Sequence, residues 1–170
     1  MKRIKPQRLC CRRSGVAAVE LALTLPLALT LLVGTWELGR IIEIQQVLKT
    51  GAREAARQAA SGLLTTAQCR QVAINYIRNA LNDQAGVMTG NLGVTITVYA
   101  SDNSTTPIDI DVSQAESLDR LEVRVTLPYR DVRWINLPMI TGAGTLQAQS
   151  TWVSLKNFPF PTDPPQPPTG

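Results

Sequence analysis

The sequence predicts an α+β protein: a long amino-terminal helix that is partly transmembrane, a second helix, and a small, mostly antiparallel sheet of about three strands. Two observations support this fold class. The first is an apolar run of 23 residues from Ser14 to Trp36. The second is a change in the spacing of apolar residues, from steps of three and four before residue 85 to steps of two after it. Helical spacing followed by strand spacing is typical of a helical stem joined to a small sheet.

The apolar run contains one charged residue, Glu20. At about 1.5 Å per residue it is long enough to cross a hydrocarbon core of about 30 Å. Residues 1–15 carry a charge of +6 and no acidic residue, and the basic residues there are Lys2, Arg3, Lys5, Arg8, Arg12 and Arg13. A basic flank before a single apolar span predicts a cytoplasmic amino terminus and an exported carboxyl-terminal region.

Two simpler explanations of the apolar run compete with a more specific one. A cleaved secretory signal peptide needs a small-residue cleavage site after the run, and the following GTWELGRIIEIQQ offers none. An uncleaved signal anchor of an envelope binding protein remains an alternative. It leaves unexplained a carboxylate, Glu20, at a depth where a charge is costly and usually functional.

The residues at the start of the run suggest proteolytic processing. Arg12-Arg13-Ser14-Gly15, followed by Val16 and, four residues later, Glu20, resembles the processing site of type IV prepilins and pseudopilins. The resemblance implies cleavage between Gly15 and Val16 by a prepilin peptidase. Glu20 would then neutralise the new amine of Val16, on its own or an adjacent subunit, during assembly. The alternative is that Glu20 reaches the lipid headgroups.

The stretch from Gly15 to Ala60 more closely resembles one family, the TadE-like pseudopilins of the tight-adherence (Tad) pilus. Matching positions are Glu20, Pro26, Gly34, Glu37, Gly39, Arg40, Gln46, Ala52, Arg53, Glu54, Ala56 and Arg57. Leu21 and Thr50-Gly51 depart from the family pattern, which has an aromatic residue and an alanine-like pair there. Neither departure affects the cleavage site or the carboxylate.

The resemblance implies a minor pseudopilin of a Tad-type (type IVc-like) pilus that acts in assembly and adherence without enzymatic activity or a cofactor. Its implied partners are the prepilin peptidase, the major pilin, other minor pseudopilins, the Tad assembly platform and the lipid bilayer. Its implied location is the bacterial inner membrane, as a single-pass protein, and the extracellular pilus after assembly.

The chain divides into five predicted segments. They are a basic leader (1–15), a transmembrane segment (16–36), an amphipathic stem helix (37–63), an exported α+β head (64–157) and a proline-rich tail (158–170). The stem is predicted from one apolar stripe formed by Ile41, Ile44, Leu48, Ala52, Ala55, Ala59 and Leu63. The tail has six prolines in 13 residues and is expected to be extended or disordered.

Within the head, a second helix is expected from Thr65 or Thr66 to about Ala85. Its predicted buried residues are Ala67, Val72, Ile74, Ile77 and Leu81. Three strands are expected from alternating apolar positions. These positions are Val94, Ile96 and Val98, then Leu121, Val123, Val125 and Leu127, and finally Leu146, Ala148 and Trp152.

Composition excludes several functions. The chain has no histidine, so histidine-based triads and histidine-ligated zinc cannot form, and we expect neither catalysis nor a metal site. The net charge of +4 comes from the leader: without residues 1–15, 11 basic residues face 13 acidic ones, and we expect no nucleic-acid binding.

Residues 101–119 hold Asp102, Asp109, Asp111, Glu116 and Asp119 in a spacing unlike an EF-hand. A solvated loop is therefore expected there rather than a calcium site. Cys69, the one cysteine outside the leader, is expected to be buried in the second helix.

Overall fold

A computed structural model describes residues 14–83, 85–101, 105–133 and 144–157. The six basic leader residues, Cys10, Cys11, Asp102 and the proline-rich tail lie outside these residues. The chain divides into two compact units, Met1–Ile41 and Ile42–Gly170. The second unit contains the predicted head and most of the predicted stem.

The first element, α1, is an α-helix that spans Ser14–Ala60, 47 residues, with Pro26 inside it. It ends before the predicted stem boundary at residue 63. Gly62 has a positive φ of 66° and donates its N–H to the Ala59 carbonyl oxygen at 3.0 Å, which is a common way for a helix to end. The prediction that Leu63 continues the buried stripe was wrong: its side chain is 84% exposed, because the helix stops before it.

The apolar stripe of α1 is otherwise confirmed within the second unit. Ile44, Leu48, Ala52, Ala55 and Ala59 are fully buried. Spacings of three and four residues place these side chains on one face of the helix. Most of them are alanines, so other elements can approach the α1 backbone closely.

The second helix, α2, spans Thr66–Ala80. It begins with a capping box, in which the Thr65 side chain accepts from the Gln68 N–H and the Gln68 side chain accepts from the Thr65 N–H. Its buried residues are Cys69, Ala73 and Ile77. The burial of Cys69 is as predicted. Of the five predicted buried residues, Ile77 and Leu81 are buried, Val72 and Ile74 are half-buried and Ala67 is exposed, because the face of α2 that packs is the one bearing residues 69, 73 and 77.

Four strands form one antiparallel sheet: β1 (Gly93–Tyr99), β2 (Pro107–Ile108), β3 (Arg120–Pro128) and β4 (Thr145–Val153). Their order across the sheet is β2-β1-β3-β4. The three predicted strands are confirmed as β1, β3 and β4. The sequence did not predict β2, which has only two residues and lies inside the acidic loop.

One face of the sheet is apolar and forms much of the core. Leu121, Val123, Val125 and Leu127 of β3 are fully buried on it, while Glu122, Arg124 and Thr126 alternate with them on the other face. One core cluster joins the end of α1 to α2 and the sheet. Its members are Ala59, Ala60, Cys69, Val98, Val112, Ala115 and Leu121. The structure thus confirms the predicted α+β class.

Close packing between α1 and α2 leads to the first prediction, at Gly51. A Cβ atom at this position would lie 2.7 Å from Cγ1 of Ile77, which is below van der Waals contact. Helix propensity alone would make Gly51→Ala stabilising by about 1 kcal/mol. We expect the contact to outweigh this gain, so that Gly51→Ala lowers the free energy of unfolding by about 1 kcal/mol.

The matched control places the same substitution in an Ile77→Ala background, where the obstructing atoms are gone. There Gly51→Ala should raise the free energy of unfolding, as helix propensity predicts. Urea unfolding followed by circular dichroism measures both effects. The same sign in both backgrounds would show that the Ile77 contact does not limit this position.

Candidate assembly segment at the amino-terminal helix

The predicted processing site lies in the first turn of α1. The helix begins at Ser14, so Gly15 and Val16 follow its first residue. A Cβ atom on Gly15 would meet nothing within 4 Å. Packing within the described chain therefore gives no reason for glycine at this position, and any requirement for it must come from outside these residues.

The helix surface after this site is apolar and uncovered. The best 18-residue window of α1 has a mean hydropathy of 2.2, and none of it is buried within the chain. The exposed large side chains are Val16, Val19, Leu21, Leu23, Leu25, Leu27, Leu29, Leu31 and Leu32. A continuous apolar surface of this length is suited to lipid or to apolar protein neighbours, and α1 is long enough to span a membrane.

The hydroxyl groups in this segment are satisfied by their own helix. Thr24 donates to the Glu20 carbonyl oxygen at 3.0 Å, Thr30 to the Pro26 carbonyl oxygen at 2.8 Å, and Thr35 to the Leu31 carbonyl oxygen at 2.8 Å. Such bonds let threonine lie in an apolar environment without an outside partner. Glu20 is then the one ionisable side chain between Val16 and Trp36.

Glu20 lies on the same helix face as Val16, because residues four apart are neighbours on a helix surface. Gly15, Val16, Val19, Glu20 and Leu23 border one shallow depression on this face. The Glu20 side chain is exposed, and none of the described residues forms an ion pair or hydrogen bond with its carboxylate. In an apolar environment, such a carboxylate needs a cation beside it.

The other family-pattern positions have varied environments. Pro26, Gly39 and Arg53 are exposed, Gly34 and Arg40 are half-buried, and Glu37 is 1% exposed. The sequence did not predict the burial of Glu37, because acidic residues are almost never fully buried.

Glu54 and Arg57 form an ion pair on α1. Arg57 Nη2 lies 2.6 Å from Glu54 Oε1, and Arg57 Nε lies 3.0 Å from Oε2. Gln58 Nε2 donates to Oε1 at 3.0 Å. The hydrogen bonds from Arg57 and then Gln58 hold the pKa of Glu54 below its usual value. Because the pair is largely exposed, it contributes little to stability.

The acidic loop uses two of its carboxylates to bind its own backbone. The Asp111 carboxylate accepts from the Ser113 N–H at 2.9 Å and from the Thr66 N–H at 3.1 Å, which ties the loop to the start of α2. The Asp119 carboxylate accepts from the Ser101 N–H at 3.1 Å and the Glu116 N–H at 2.8 Å. Within the described residues no group of three or more acidic or cysteine side chains could hold a metal ion.

A third structural carboxylate, Asp83, lies just after α2 and was not predicted from the sequence. It accepts from the Thr89 N–H at 2.7 Å, the Thr89 hydroxyl at 2.8 Å and the Val87 N–H at 2.8 Å. Burial opposes its ionisation, but these hydrogen bonds outweigh burial and lower the pKa of Asp83. The sequence signal was the short polar segment Asn82-Asp83 directly after the helix.

Comparison with known proteins gives a family match within the amino-terminal helix. Residues 15–57 match the family model of TadE-like protein, which confirms the resemblance that the sequence suggested. TadE-like proteins are structural, pilus-associated proteins with no known enzymatic activity. The match relates residues 15–57 to Tad pilus-associated proteins, and the exposed apolar helix that contains them is long and apolar enough to span a membrane. No curated protein and no solved structure matches the chain significantly.

The second prediction concerns acid stability and Asp111. The Ser113 N–H and hydroxyl, followed by the Thr66 groups, lower the pKa of Asp111 from 3.8 to about 2. A depressed carboxylate pKa stabilises the fold above the unfolded value, and this contribution is lost as the pH falls from about 4 to 2. Asp111→Ala should therefore cost on the order of 1–2 kcal/mol at pH 7 and progressively less below pH 4.

Asp109→Ala is the matched control, because Asp109 is an exposed carboxylate of the same loop. We expect it to change the free energy of unfolding by less than about 0.5 kcal/mol. Urea unfolding between pH 2 and pH 7 measures both variants. A pH-independent loss for Asp111→Ala would contradict the assigned role of the ionised carboxylate.

Proposed function

We propose that this protein is a minor pseudopilin of a Tad-type (type IVc-like) pilus, made as an inner-membrane precursor and cut after Gly15 by a prepilin peptidase. The observation that carries the proposal is the position of the family match. It begins at Gly15, at the predicted cut, and continues along the exposed apolar helix that bears Glu20. The protein contributes to assembly and adherence and catalyses no reaction.

Charge distribution supports the proposed topology. The basic leader keeps the amino terminus and the Gly15–Val16 bond at the cytoplasmic face. Residues 16–36 cross the bilayer, residues 37–63 form the stem, and residues 64–157 form the exported head, with the proline-rich tail beyond it. Removal of the leader takes away six positive charges, so the mature chain has 11 basic and 13 acidic side chains.

Glu20 is proposed to act through the amine that cleavage creates. The cut releases an ammonium group on Val16, four residues before Glu20. An apolar environment disfavours either charge alone and favours the two together. The partner amine belongs to the same subunit or to an adjacent one. If the amine belongs to an adjacent subunit, the pairing also sets the axial offset between the two neighbouring helices.

The exposed leucine surface is proposed to exchange lipid for protein during assembly. In the membrane it contacts acyl chains, and in the filament it contacts the helices of the major pilin and other minor pseudopilins. Both environments are apolar, so the transfer costs little hydrophobic energy. The assembly platform in the inner membrane is the proposed site of this transfer.

The third prediction tests the cleavage site. The protein purified from filaments of its native host should have an amino terminus at Val16 by mass spectrometry. Gly15→Arg should leave the full-length precursor in the membrane, because the bulky cation cannot fit where the peptidase needs a small residue. The matched control is Gln7→Arg, which adds the same charge within the leader and should be processed normally. Val33→Arg is unsuitable as a control because it disturbs the membrane span.

Full-length protein with an intact Met1 terminus in sheared filaments would refute the proposed cut. It would favour the alternative of an uncleaved, signal-anchored binding protein of the envelope.

The fourth prediction separates cleavage from assembly. Glu20→Ala should be cleaved and membrane-inserted at normal levels, yet its incorporation into pili should fall at least about tenfold, because the Val16 amine loses its partner. Thr24→Ala is the matched control. It lies one turn further along the same face, and its hydroxyl bonds only its own helix. Quantitative immunoblots of sheared filaments and adherence assays compare the two, and equal incorporation would assign Glu20 to the headgroup region instead.

A further inference from the structure

The outer strand β4 has the features of a strand that pairs with another chain. It lies at one edge of the sheet and has nine residues, TLQAQSTWV, with no charged residue and no proline. On the opposite side of the sheet, β2 has two residues, begins with Pro107 and pairs only with Val98 and Tyr99 of β1. Proteins usually protect a long edge strand with charge, proline or a bulge. Within the described residues β4 has none of these features, since it carries neither charge nor proline and pairs with β3 in a regular register.

The register shows which backbone groups of β4 point away from the sheet. Ser154 donates its N–H to the Asp119 carbonyl oxygen at 2.8 Å, and the Tyr129 N–H donates to the Gly144 carbonyl oxygen at 2.9 Å. The two residues that flank β4 in these bonds, Gly144 and Ser154, both have even numbers. In an antiparallel pair the bonding residues alternate, so even-numbered residues of β4 face β3. The odd-numbered residues 145, 147, 149, 151 and 153 therefore direct their N–H and C=O groups outward. Within the described residues, these outward-directed N–H and C=O groups form no backbone hydrogen bond.

We propose that two copies of this protein pair through their β4 strands in antiparallel orientation, with the two-fold axis at Gln149. This register pairs all nine residues and places every outward-directed residue opposite another outward-directed residue. It supplies about ten backbone hydrogen bonds. Because β4 carries no charge, two copies meet without the repulsion that identical charged strands would have.

Side chains also match in this register. Trp152, on the apolar face but 39% exposed, lies opposite Leu146 of the second copy. Ala148 lies opposite Ser150, so large side chains meet large ones and small side chains meet small ones. The second copy covers the exposed part of Trp152, which the described residues of one chain leave open. On the polar face, Gln147 pairs with Thr151 and Gln149 with itself, and all of these can exchange hydrogen bonds.

Cysteine cross-linking in native membranes tests this pairing in the full-length chain. Gln149→Cys, in a Cys10→Ser/Cys11→Ser background, places two thiols across the two-fold axis at about 5.5 Å between Cα atoms, within disulfide range. Arg124→Cys is the matched control, because Arg124 pairs with Gln149 on the neighbouring strand β3 and on the same face. We expect a disulfide-linked dimer for Gln149→Cys under mild oxidation and at least about tenfold less for Arg124→Cys. Equal cross-linking of the two, or none, would overturn the proposal.

Hydrogen exchange gives a second measurement without cysteine. The outward-directed amides, those of residues 145, 147, 149, 151 and 153, should become more protected in purified full-length protein as concentration rises, whereas the even-numbered amides, which already bond β3, should not change. Gln149→Lys should shift this rise to roughly three- to tenfold higher concentration, since two lysines would face each other at the axis. Thr95→Lys adds the same charge to the same sheet face on β1, two strands away from the outer side of β4, and should not shift it. Protection that is independent of concentration would show that the chain's own residues cover β4, and that result would overturn the proposal.

Discussion

The apolar surface of α1 between Val16 and Leu32 is the feature on which the protein depends most. Nothing among the described residues covers it. A helix with this surface is stable only where lipid or another apolar protein replaces water. The helix backbone and the threonine hydroxyls satisfy their own hydrogen bonds, which suits them to such surroundings. Glu20 is the exception, and its carboxylate makes the segment sensitive to a positive charge beside it.

The second unit, Ile42–Gly170, is organised by small residues and by carboxylates that are buried or half-buried. Alanines on α1 and Gly51 let α2 and the sheet approach closely, so a modest set of aliphatic side chains forms a continuous core. The irregular segments between the elements have no regular pairing to satisfy their backbone N–H groups. Asp83, Asp111 and Asp119 accept many of these. The acidic character of residues 101–119 thus has a structural use in the described part of the loop.

The same loop shows why prediction from the sequence succeeded in some places and failed in others. The α1 stripe and strands β1, β3 and β4 followed from the spacing of apolar residues, which is a local property. Asp111 also has a distant partner, Thr66, 45 residues away, and no local pattern connects the two. The end of α1 depended on the left-handed conformation of Gly62, and the buried face of α2 on how the helix docks. The first is a local capping signal that overrides the apolar spacing, and the second is decided by long-range packing. Leu63 and Ala67 were therefore assigned wrongly.

The sequence by itself determined the fold class, the membrane-compatible helix and the family resemblance of residues 15–57, because hydropathy and motif spacing are written in neighbouring residues. Tertiary structure alone decided the strand order, and with it the outer position of β4. The composition of β4 is informative only once the strand is known to lie at an edge, since an uncharged strand in the centre of a sheet is ordinary. Which backbone groups face outward depends on register, and register arises from pairing between segments that are far apart in the chain.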